Sequence, residues 1–415
     1  MTIAAGIAKK LVIAKQTALG TIAAVNAASA VYLRRTSSNL DLKKEVYQSN
    51  EMRADRQIGD YRHGVRSVDG TIAGELSPGT YQLFMAAILR QAWQTAATSG
   101  AVVNHVVPAP TTGAAGTFTR DDAGSFITDG FKVGDVVRWS GFAGSGITVN
   151  NAHNFMITAL TALVMTGVML DGVAVVADSE NDTVTCTLVG KKCWIPTTGH
   201  TSDYFTIEHN YSDLDLSEVF TDCKINTMAI KLPATGIATV DFGILGLNMT
   251  AEISANAPYF TSPAAAATPG VVAAVNGAIY VNGVAVALIT GMDFDIAGNL
   301  TSEPVVGSNV KPDIFDGKIV VKGNMTVYFT DATFRDYFIN ETEVAINACF
   351  TTSNLPNADF LAFSMPRVKV GGASKDDGDK GLVQTMPFQA LYNTSGGAAV
   401  NTLATTISIQ DSAAV

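Results

Sequence analysis

Cysteine is scarce in this sequence, and its placement excludes the common cysteine chemistries. The 415 residues include four cysteines, Cys186, Cys193, Cys223 and Cys349. Their spacings match no zinc-ligand pattern. We therefore predict buried, reduced thiols that bind no metal.

Histidine is also scarce and gives no sign of an enzyme. The five histidines lie in unrelated sequence contexts, at His63, His105, His153, His200 and His209. His200 and His209 stand near Asp203 and Glu208, but metal sites do not use this spacing. Nucleophilic catalysis needs a hydroxyl or thiol beside an oriented base, and no G-x-S-x-G elbow is present. The sequence therefore predicts no catalytic residue and no metal site.

The sequence also lacks an apolar run suited to a secretory signal or a bilayer. Lys9, Lys10 and Lys15 interrupt the apolar stretch near the start, so we expect no secretory signal. The uncharged run 16–33 is rich in Ala, Thr, Asn and Ser, whereas insertion requires dense Leu, Ile and Phe. We predict no membrane span. A β-barrel porin is disfavoured too, because ten-residue strands with aromatic girdles do not recur.

Loops that bind phosphate or calcium are missing as well. The glycines lie at hairpin turns, without a Walker or dinucleotide spacing, so no cofactor is predicted. The stretch 375–381 superficially suggests a calcium loop. An EF-hand counted from Asp376 would need Glu where Pro387 stands, so a solvated hairpin tip is the better interpretation.

Apolar residues, by contrast, are abundant, at 47% of the chain against 15% charged. This balance excludes wholesale disorder, and 37 glycines with recurrent Val, Ile and Thr favour many short strands joined by tight turns. The length suggests two or three domains.

Charge is unevenly distributed along the chain. Residues 1–66 hold eleven Lys/Arg against five Asp/Glu, whereas the remainder holds 16 against 32. A basic arm on an acidic body binds nucleic acid or docks on an acidic copy of itself. Glu51, Asp55 and Asp60 interrupt the basic arm, and this mixed sign favours contact with a like subunit over a phosphate track.

The first hundred residues predict a charged hairpin followed by one helix. Residues 36–75 alternate charges without an apolar stripe of helical period, which indicates a long hairpin or loop. Ser77 is predicted to cap the helix, with Pro78 in its first turn. The apolar stripe of this helix consists of Tyr81, Phe84, Met85, Ile88, Leu89 and Ala92.

A small inserted module follows the helix. Gly100 and the stretch 106–116 indicate a linker, and 113–195 indicates a small β-barrel. Within it, the apolar run 155–170 is long enough for a buried helix. Thr158, Thr161, Thr166 and Gly167 favour strands there.

Strand signals return from residue 196 onward. Strands are predicted within 223–249, 278–296 and 314–329 and on both sides of a hydrophilic tip at 371–381, with a small-residue loop at 258–276. Asn282-Gly283 predicts a hairpin turn. Asp331 is expected to cap a short helix carrying Phe334, Tyr337 and Phe338.

The order of these segments resembles the tail tube proteins of long-tailed phages. The resemblance rests on SSNLDLKKEVYQSNEMRADRQIGDYRHG (37–64), SVDGTIAGELSPGTYQLFMAAIL (67–89), EVFTDCKINTMAIKLPATGIATVDFGILG (218–246) and PDIFDGKIVVKGNMTVYF (312–329), with the C-terminal hairpin. It covers roughly two thirds of the chain as an ordered set of diffuse motifs. It implies a mainly-β fold, a tube-type β-sandwich or barrel with one flanking amphipathic helix, into which the small β domain indicated by 113–195 is inserted. The implied division is 1–112 and 196–415 for the tube domain and 113–195 for the insertion.

The resemblance also implies how such a subunit assembles. Subunits form hexameric rings that stack into a tube, and the charged loop, matched here by 41–66, reaches the next ring. The residues expected at this contact are Glu51, Arg53, Asp55, Arg56 and Arg62. An ordinary solvated loop is the alternative.

The partners implied are further copies of the chain, the tape measure, terminator and distal tail proteins, and double-stranded DNA that passes without specific binding. The implied location is the virion tail, assembled in the cytoplasm of the host bacterium. The acidic body suits a conduit, because a negative wall repels the duplex and releases no counterions.

The insertion departs from a minimal tube subunit. It would have to project outward, since it would block the lumen otherwise, and a contractile sheath would leave it little room. The expectation is a non-contractile tail with a decorated surface. A capsid or other virion shell or decoration subunit is the alternative function, and an enzyme is a more distant one.

Overall fold

Antiparallel strands dominate the fold. The computed structural model describes residues 3–103, 106–144, 146–178, 182–286, 288–376, 379 and 381–415. Among these residues there are two α-helices, α1 (Gln82–Leu89) and α2 (Thr333–Ile339). The predicted mainly-β class is confirmed.

The strands are numbered here in chain order. They are β1 (Lys9–Lys15), β2 (Val31–Tyr32), β3 (Ser37–Ser38), β4 (Asp41–Gln48), β5 (Tyr61–Glu75), β6 (Val102–Val103), β7 (Val106–Pro110), β8 (Ala115–Arg120), β9 (Val136–Ser140), β10 (Phe155–Leu160), β11 (Val164–Met169), β12 (Thr183–Leu188), β13 (Lys191–Trp194), β14 (Phe205–Tyr211), β15 (Leu216–Pro233), β16 (Thr239–Gly246), β17 (Asn248–Ile253), β18 (Gly277–Val281), β19 (Val284–Ala285), β20 (Ile289–Ala297), β21 (Val320–Tyr328), β22 (Glu343–Thr351), β23 (Phe360–Val370), β24 (Ser374–Lys375), β25 (Val383–Ala390) and β26 (Ser408–Asp411). Strands β6–β12 form a seven-stranded sheet, and the others form one larger sheet.

Six strands form the central part of the larger sheet, in the order β5–β16–β15–β20–β21–β25. Successive side chains in a strand point to opposite faces, and one face of these strands is almost wholly apolar. It supplies Ile72, Met228, Phe242, Phe294 and Met325 to the main core. Strands β3 and β4 pair with β5 at one side, and β23 and β24 pair with β25 at the other.

The larger sheet folds back over this core as a second layer. Strands β18, β22, β23, β26 and β13 pair in that order. Val344, Ile346 and Phe363 of this layer enter the same core as the central strands. The resulting sandwich has two different outer surfaces, one on the central strands and one on the second layer.

Helix α1 lies within the main core, but its predicted start is wrong. Phe84 packs edge-on against Phe242, with ring centroids 5.1 Å apart. Gly79 has φ +72°, a left-handed conformation that no helical turn accepts. The helix therefore begins at Gln82, and the Ser77 hydroxyl bonds the Thr80 hydroxyl instead of capping it.

The end of α1 is fixed by a second left-handed residue. Arg90 has φ +57° and closes the helix by donating its backbone N–H to the carbonyls of the last turn. Ala92, predicted to continue the apolar stripe, therefore lies beyond the helix. The other stripe residues are buried as predicted.

Several predicted turns and strands are confirmed. Residues 36–75 form the hairpin of β4 and β5, and Asn282-Gly283, with φ of 52° and 77°, turns β18 into β19. The N-cap position of α2 is Ala332 and not Asp331 as predicted, but Asp331 Oδ1 accepts the Thr333 backbone N–H at 2.8 Å. His105 and the tip residues 377, 378 and 380 lie outside the described residues.

The seven-stranded sheet has the order β6–β12–β9–β10–β11–β8–β7. The run 155–170 forms β10 and β11, as the threonines predicted. The linker predicted at 106–116 is wrong, because residues 106–110 form β7 and residues 115 and 116 begin β8, and the two strands pair with each other. The strands of this sheet share a core rich in aromatic side chains. Phe118 and Trp139 lie at its centre, with ring centroids 4.5 Å apart.

Buried polar contacts join the seven-stranded sheet to the second layer. Lys192 of β13 forms an ion pair with Asp135 at 2.7 Å, and both side chains are less than a tenth exposed. The Gln410 side-chain amide accepts the Val136 backbone N–H and donates to the Val136 carbonyl. Lys132 Nζ donates to three carbonyls of the segment 397–400. The seven-stranded sheet thus lies on the second layer, away from the central strands.

Candidate assembly surfaces

The hairpin of β4 and β5 extends beyond the body of the larger sheet. Within the fifteen residues of β5, the part 68–75 pairs with β16. The remaining part, 61–67, pairs with β4 alone among the strands that the structure describes. Residues 49–60, called the hairpin tip below, therefore lie past the end of the sheet.

The five residues predicted to contact a neighbouring subunit all lie in or beside the hairpin tip. Arg53 pairs with Asp55 at 2.8 Å and Arg62 with Asp60 at 2.7 Å. The Arg53 and Arg62 guanidinium groups lower the pKa of the Asp55 and Asp60 carboxyls, respectively.

Glu51 and Arg56 differ from their neighbours in the tip. Both side chains are exposed, and the described residues provide no ion pair for either. Arg56 has φ +58°, a turn conformation. Solvent-exposed ion pairs add little stability, so the charges in the tip do little to hold the subunit together.

Exposed apolar side chains on the same hairpin were not anticipated from the sequence. Met52 and Ile58 of the tip are 103% and 66% exposed, and Val46, Tyr47 and Tyr61 at its base are about half exposed. The sequence contained a signal for this exposure. Apolar residues recur within 46–61, but their spacing does not match the period of a strand or helix with one buried face. Clustered apolar exposure on one element indicates a surface that a partner covers.

The outward side chains of the six central strands form a second candidate surface, called the polar sheet face below. Cross-strand register brings together Glu75 and Thr239, Lys231 and Asp293, and Asp295 and Lys322. The remaining positions are mostly small or neutral: Thr71, Ala73, Thr227, Ala229, Gly243, Gly291, Asn324, Thr326, Thr385 and Gln389. One aromatic residue, Tyr328, lies at the margin of the polar sheet face, at the end of β21.

Acidic groups predominate on the polar sheet face. This face carries four acids and two lysines: Glu75, Asp241, Asp293 and Asp295 against Lys231 and Lys322. At its border, Asp69 forms an ion pair with Lys43. Partial burial and the neighbouring carboxylates of Asp293 and Asp241 raise the pKa of Asp295. Burial is the larger cause, and the remainder reflects carboxylates that lie close enough to repel one another.

The residues near His200 and His209 that resemble a metal site in sequence are separated in the structure. Glu208 is buried on one side of β14, where it accepts the backbone N–H groups of Tyr259 and Phe260. His209 points to the other side, with Nε2 2.8 Å from the Ser38 hydroxyl, and burial lowers its pKa. Asp203 forms an ion pair with Lys15. No group of three metal-ligating side chains occurs in the part of the chain that the structure describes.

The four cysteines are free and buried, as predicted. Burial raises the pKa of the Cys193 thiol to about 12 and that of Cys186 well above its usual value. Such thiols are not activated as nucleophiles at neutral pH.

Comparison with known proteins identifies the family. In the described residues, no helix has both the length and the apolar character needed to cross a membrane. A search of curated proteins gave no match. The family model described as phage tail tube protein matches residues 6–390. Since this match covers nearly the whole chain, the protein belongs to the phage tail tube protein family, a structural family of the virion tail.

Proposed function

We propose that the chain polymerises as stacked hexameric rings into the tail tube, and that this tube is the conduit through which DNA is ejected. The polar sheet face carries this proposal. A wall that DNA passes must neither bind phosphates through Lys and Arg nor stack on bases through aromatic side chains. The polar sheet face meets both requirements, with four acids against two lysines and one marginal tyrosine.

The edges of the central sheet support ring formation. On one side, β4 pairs with β5 alone among the strands described. On the other side, β25 pairs with the short β24 and with β23, which continues into the second layer. An open edge of eight residues invites pairing with another chain. Closure of the sheet around the lumen, subunit to subunit, removes such edges.

The hairpin tip supplies the proposed contact between rings. Glu51, Arg53, Asp55 and Arg56 are exposed past the end of the sheet, and Arg62 is exposed beside them near the start of β5, where a neighbouring ring would meet them. The exposed Met52 and Ile58 beside them support an interface rather than a solvated loop.

The seven-stranded sheet is proposed to lie on the outside of the tube. Of the proposed division into 1–112, 113–195 and 196–415, the middle segment holds most of this sheet. It packs on the second layer through Val136, Met156 and Phe360, on the side remote from the polar sheet face. If that face lines the lumen, the insertion decorates the outer surface. A sheath would compete for this space, so we propose a non-contractile tail.

The remaining partners follow from this role. The tube would carry tape measure, terminator and distal tail proteins along its lumen or at its ends, and pass DNA without specific binding. Assembly would take place in the host bacterial cytoplasm. Membership of a structural family favours this role over an enzyme and over a capsid, shell or decoration subunit.

Electron microscopy of the purified protein tests the proposal. The expected result is hollow tubes of regularly stacked rings with sixfold symmetry, with density for the insertion on the outer wall. Closed shells would support the capsid alternative. A monodisperse monomer that forms no tubes at any concentration would contradict the proposed assembly.

A further inference from the structure

One end of the molecule carries a long stretch without charge. Residues 253–292 include no Asp, Glu, Lys or Arg, although 15% of the whole chain is charged. Much of this stretch is surface, since Val275, Val284 and Leu288 are 82%, 68% and 48% exposed. Depletion of charge around exposed apolar side chains is typical of the buried centre of a protein interface.

A groove of about 440 Å³ opens in this uncharged stretch. Its lining includes Val275, Tyr280 and Val286, together with Leu232 and Met292 from the ends of β15 and β20. An apolar cavity of about 150 Å³ already holds benzene. The groove therefore has room for more than one aliphatic side chain.

The groove and the hairpin tip lie at opposite ends of β5. The last residue of β5, Glu75, pairs with Thr239, and the same end of the neighbouring strands carries Pro233 and Gly291, which line the groove. The first residue of β5 follows the tip. At about 3.4 Å per residue, the fifteen residues of β5 separate the two ends by on the order of 50 Å.

The groove region is uncharged, and four of the six charges in and beside the tip are paired with one another. Within the tip, Arg53 pairs with Asp55 and Arg62 with Asp60, so these charges are compensated by neighbours on the same hairpin. Burying a charge without a partner is costly. These two pairs can approach an uncharged surface without that cost, while Glu51 and Arg56, for which the described residues provide no ion pair, have to stay in solvent at the rim of the contact. The tip presents the exposed Met52 and Ile58.

We propose that Met52 and Ile58 of one copy of the chain occupy the groove around Val275 of a second copy. This inference rests on the proposed stacking and names its receptor surface. An apolar projection at one end and an uncharged groove at the other make a heterologous contact, which does not close on itself and propagates as an open stack. In this arrangement the apolar side chains carry the affinity, and the ion pairs keep the tip neutral.

Disulfide cross-linking tests the contact. The native cysteines are at most 1% exposed and should not react, so introduced thiols report alone. A chain with Ile58→Cys and Val275→Cys, oxidised after assembly, should give a ladder of covalent oligomers on a non-reducing gel. An equimolar mixture of the two single variants should give dimers and no longer species.

A matched control pairs Ile58→Cys with Val306→Cys. Val306 is 106% exposed but belongs to the loop that bonds Arg66 at the base of the hairpin, at the wrong end of the molecule. No ladder is expected from it. Dimers formed by Ile58→Cys alone would indicate a tip-to-tip contact and overturn the proposal.

The outcomes separate this contact from the proposed function. Tubes that form normally but yield no Ile58–Val275 ladder would overturn the contact and leave the tube assembly standing. Failure of the unmodified chain to form tubes would count against the stacking itself. As a second measurement, Ile58→Asp should raise the subunit concentration required for tube formation at least tenfold, and Val306→Asp should leave it unchanged.

Discussion

Burial of a carboxyl group at the C-terminal strand makes stability depend on pH. Asp411 is 1% exposed and accepts the backbone N–H groups of Gly79 at 2.8 Å and Ala413 at 2.9 Å. Burial, only partly offset by these bonds, raises its pKa to about 6. In the unfolded chain an Asp carboxyl has a pKa of about 3.9. The folded state therefore retains a proton that the unfolded state loses in the window between these values.

Asp411→Asn should remove this pH dependence. A raised carboxyl pKa contributes stability that is complete below the unfolded pKa and is lost as pH rises toward 6. Relative to the variant, the unmodified chain should lose about 2 kcal/mol of unfolding free energy between pH 4 and pH 7. Urea denaturation of both chains at each pH measures the difference, in which the other titrating groups cancel. A difference that does not change with pH would contradict the raised pKa.

The buried ion pair between Lys192 and Asp135 gives a second test at the residue scale. Lys192→Met should cost about 3–5 kcal/mol, because Asp135 is left charged and uncompensated between the two sheets. The double variant Lys192→Met with Asp135→Asn should be distinctly more stable than the single one, since Asn can still accept the Lys132 N–H that Asp135 accepts at 2.9 Å. Denaturation of the double-mutant cycle measures the coupling. Equal losses in both variants would mean that the pair is not a coupled buried unit.

For individual strands and helices, local sequence patterns predicted most strands and turns. The elements that were predicted wrongly depend on contacts with residues distant in the sequence. Alternation identified β15, β16 and β20, and Asn282-Gly283 identified its hairpin, because neighbouring residues determine these features. The start of α1 depends on Gly79, whose N–H is bonded by Asp411, 332 residues away. No local pattern contains that contact.

The missed strands at 106–120 have a related cause. Two prolines in β7, Pro108 and Pro110, indicate a linker when the sequence is considered alone. Proline is tolerated in an edge strand, where its missing N–H need not join a ladder. Strand β7 is such an edge and pairs with β8 alone. Sequence patterns have the same limitation for the candidate surfaces. The charged tip was predicted because it is one continuous segment, but the groove combines distant segments and is visible only in the tertiary fold.

Substitutions in the hairpin tip are expected to affect assembly without affecting folding. Arg53→Glu with Arg56→Glu should change the melting temperature of the unassembled subunit by no more than about 2 °C, because both side chains are exposed. The concentration required for tube formation should rise about tenfold, since the altered tip carries unpaired negative charge into the interface. Calorimetry and light scattering measure the two effects. Arg335→Glu, an exposed exchange on α2, is the control and should alter neither.

At the scale of the whole molecule, the two outer surfaces of the sandwich divide the proposed work. The polar sheet face lies on one side of the main core, and the second layer with the seven-stranded sheet lies on the other. Their arrangement gives the radial order of the tube: acidic wall, main core, second layer, insertion. The hairpin tip and the uncharged groove then stand at the two ends along the axis.

Charge reversal on the polar sheet face tests this radial order in the virion. Asp241→Lys, Asp293→Lys and Asp295→Lys together should leave tubes intact, because these side chains lie outside the core. If the face lines the lumen, each added lysine can neutralise a phosphate and release a counterion, so ejection should slow at least tenfold and recover as salt is raised. DNA release from triggered virions, followed by fluorescence at several salt concentrations, measures this. Asp331→Lys, Asp336→Lys and Glu341→Lys add the same charge around α2 and should leave ejection unchanged. Equal ejection rates in both triple variants would place the DNA path on another surface.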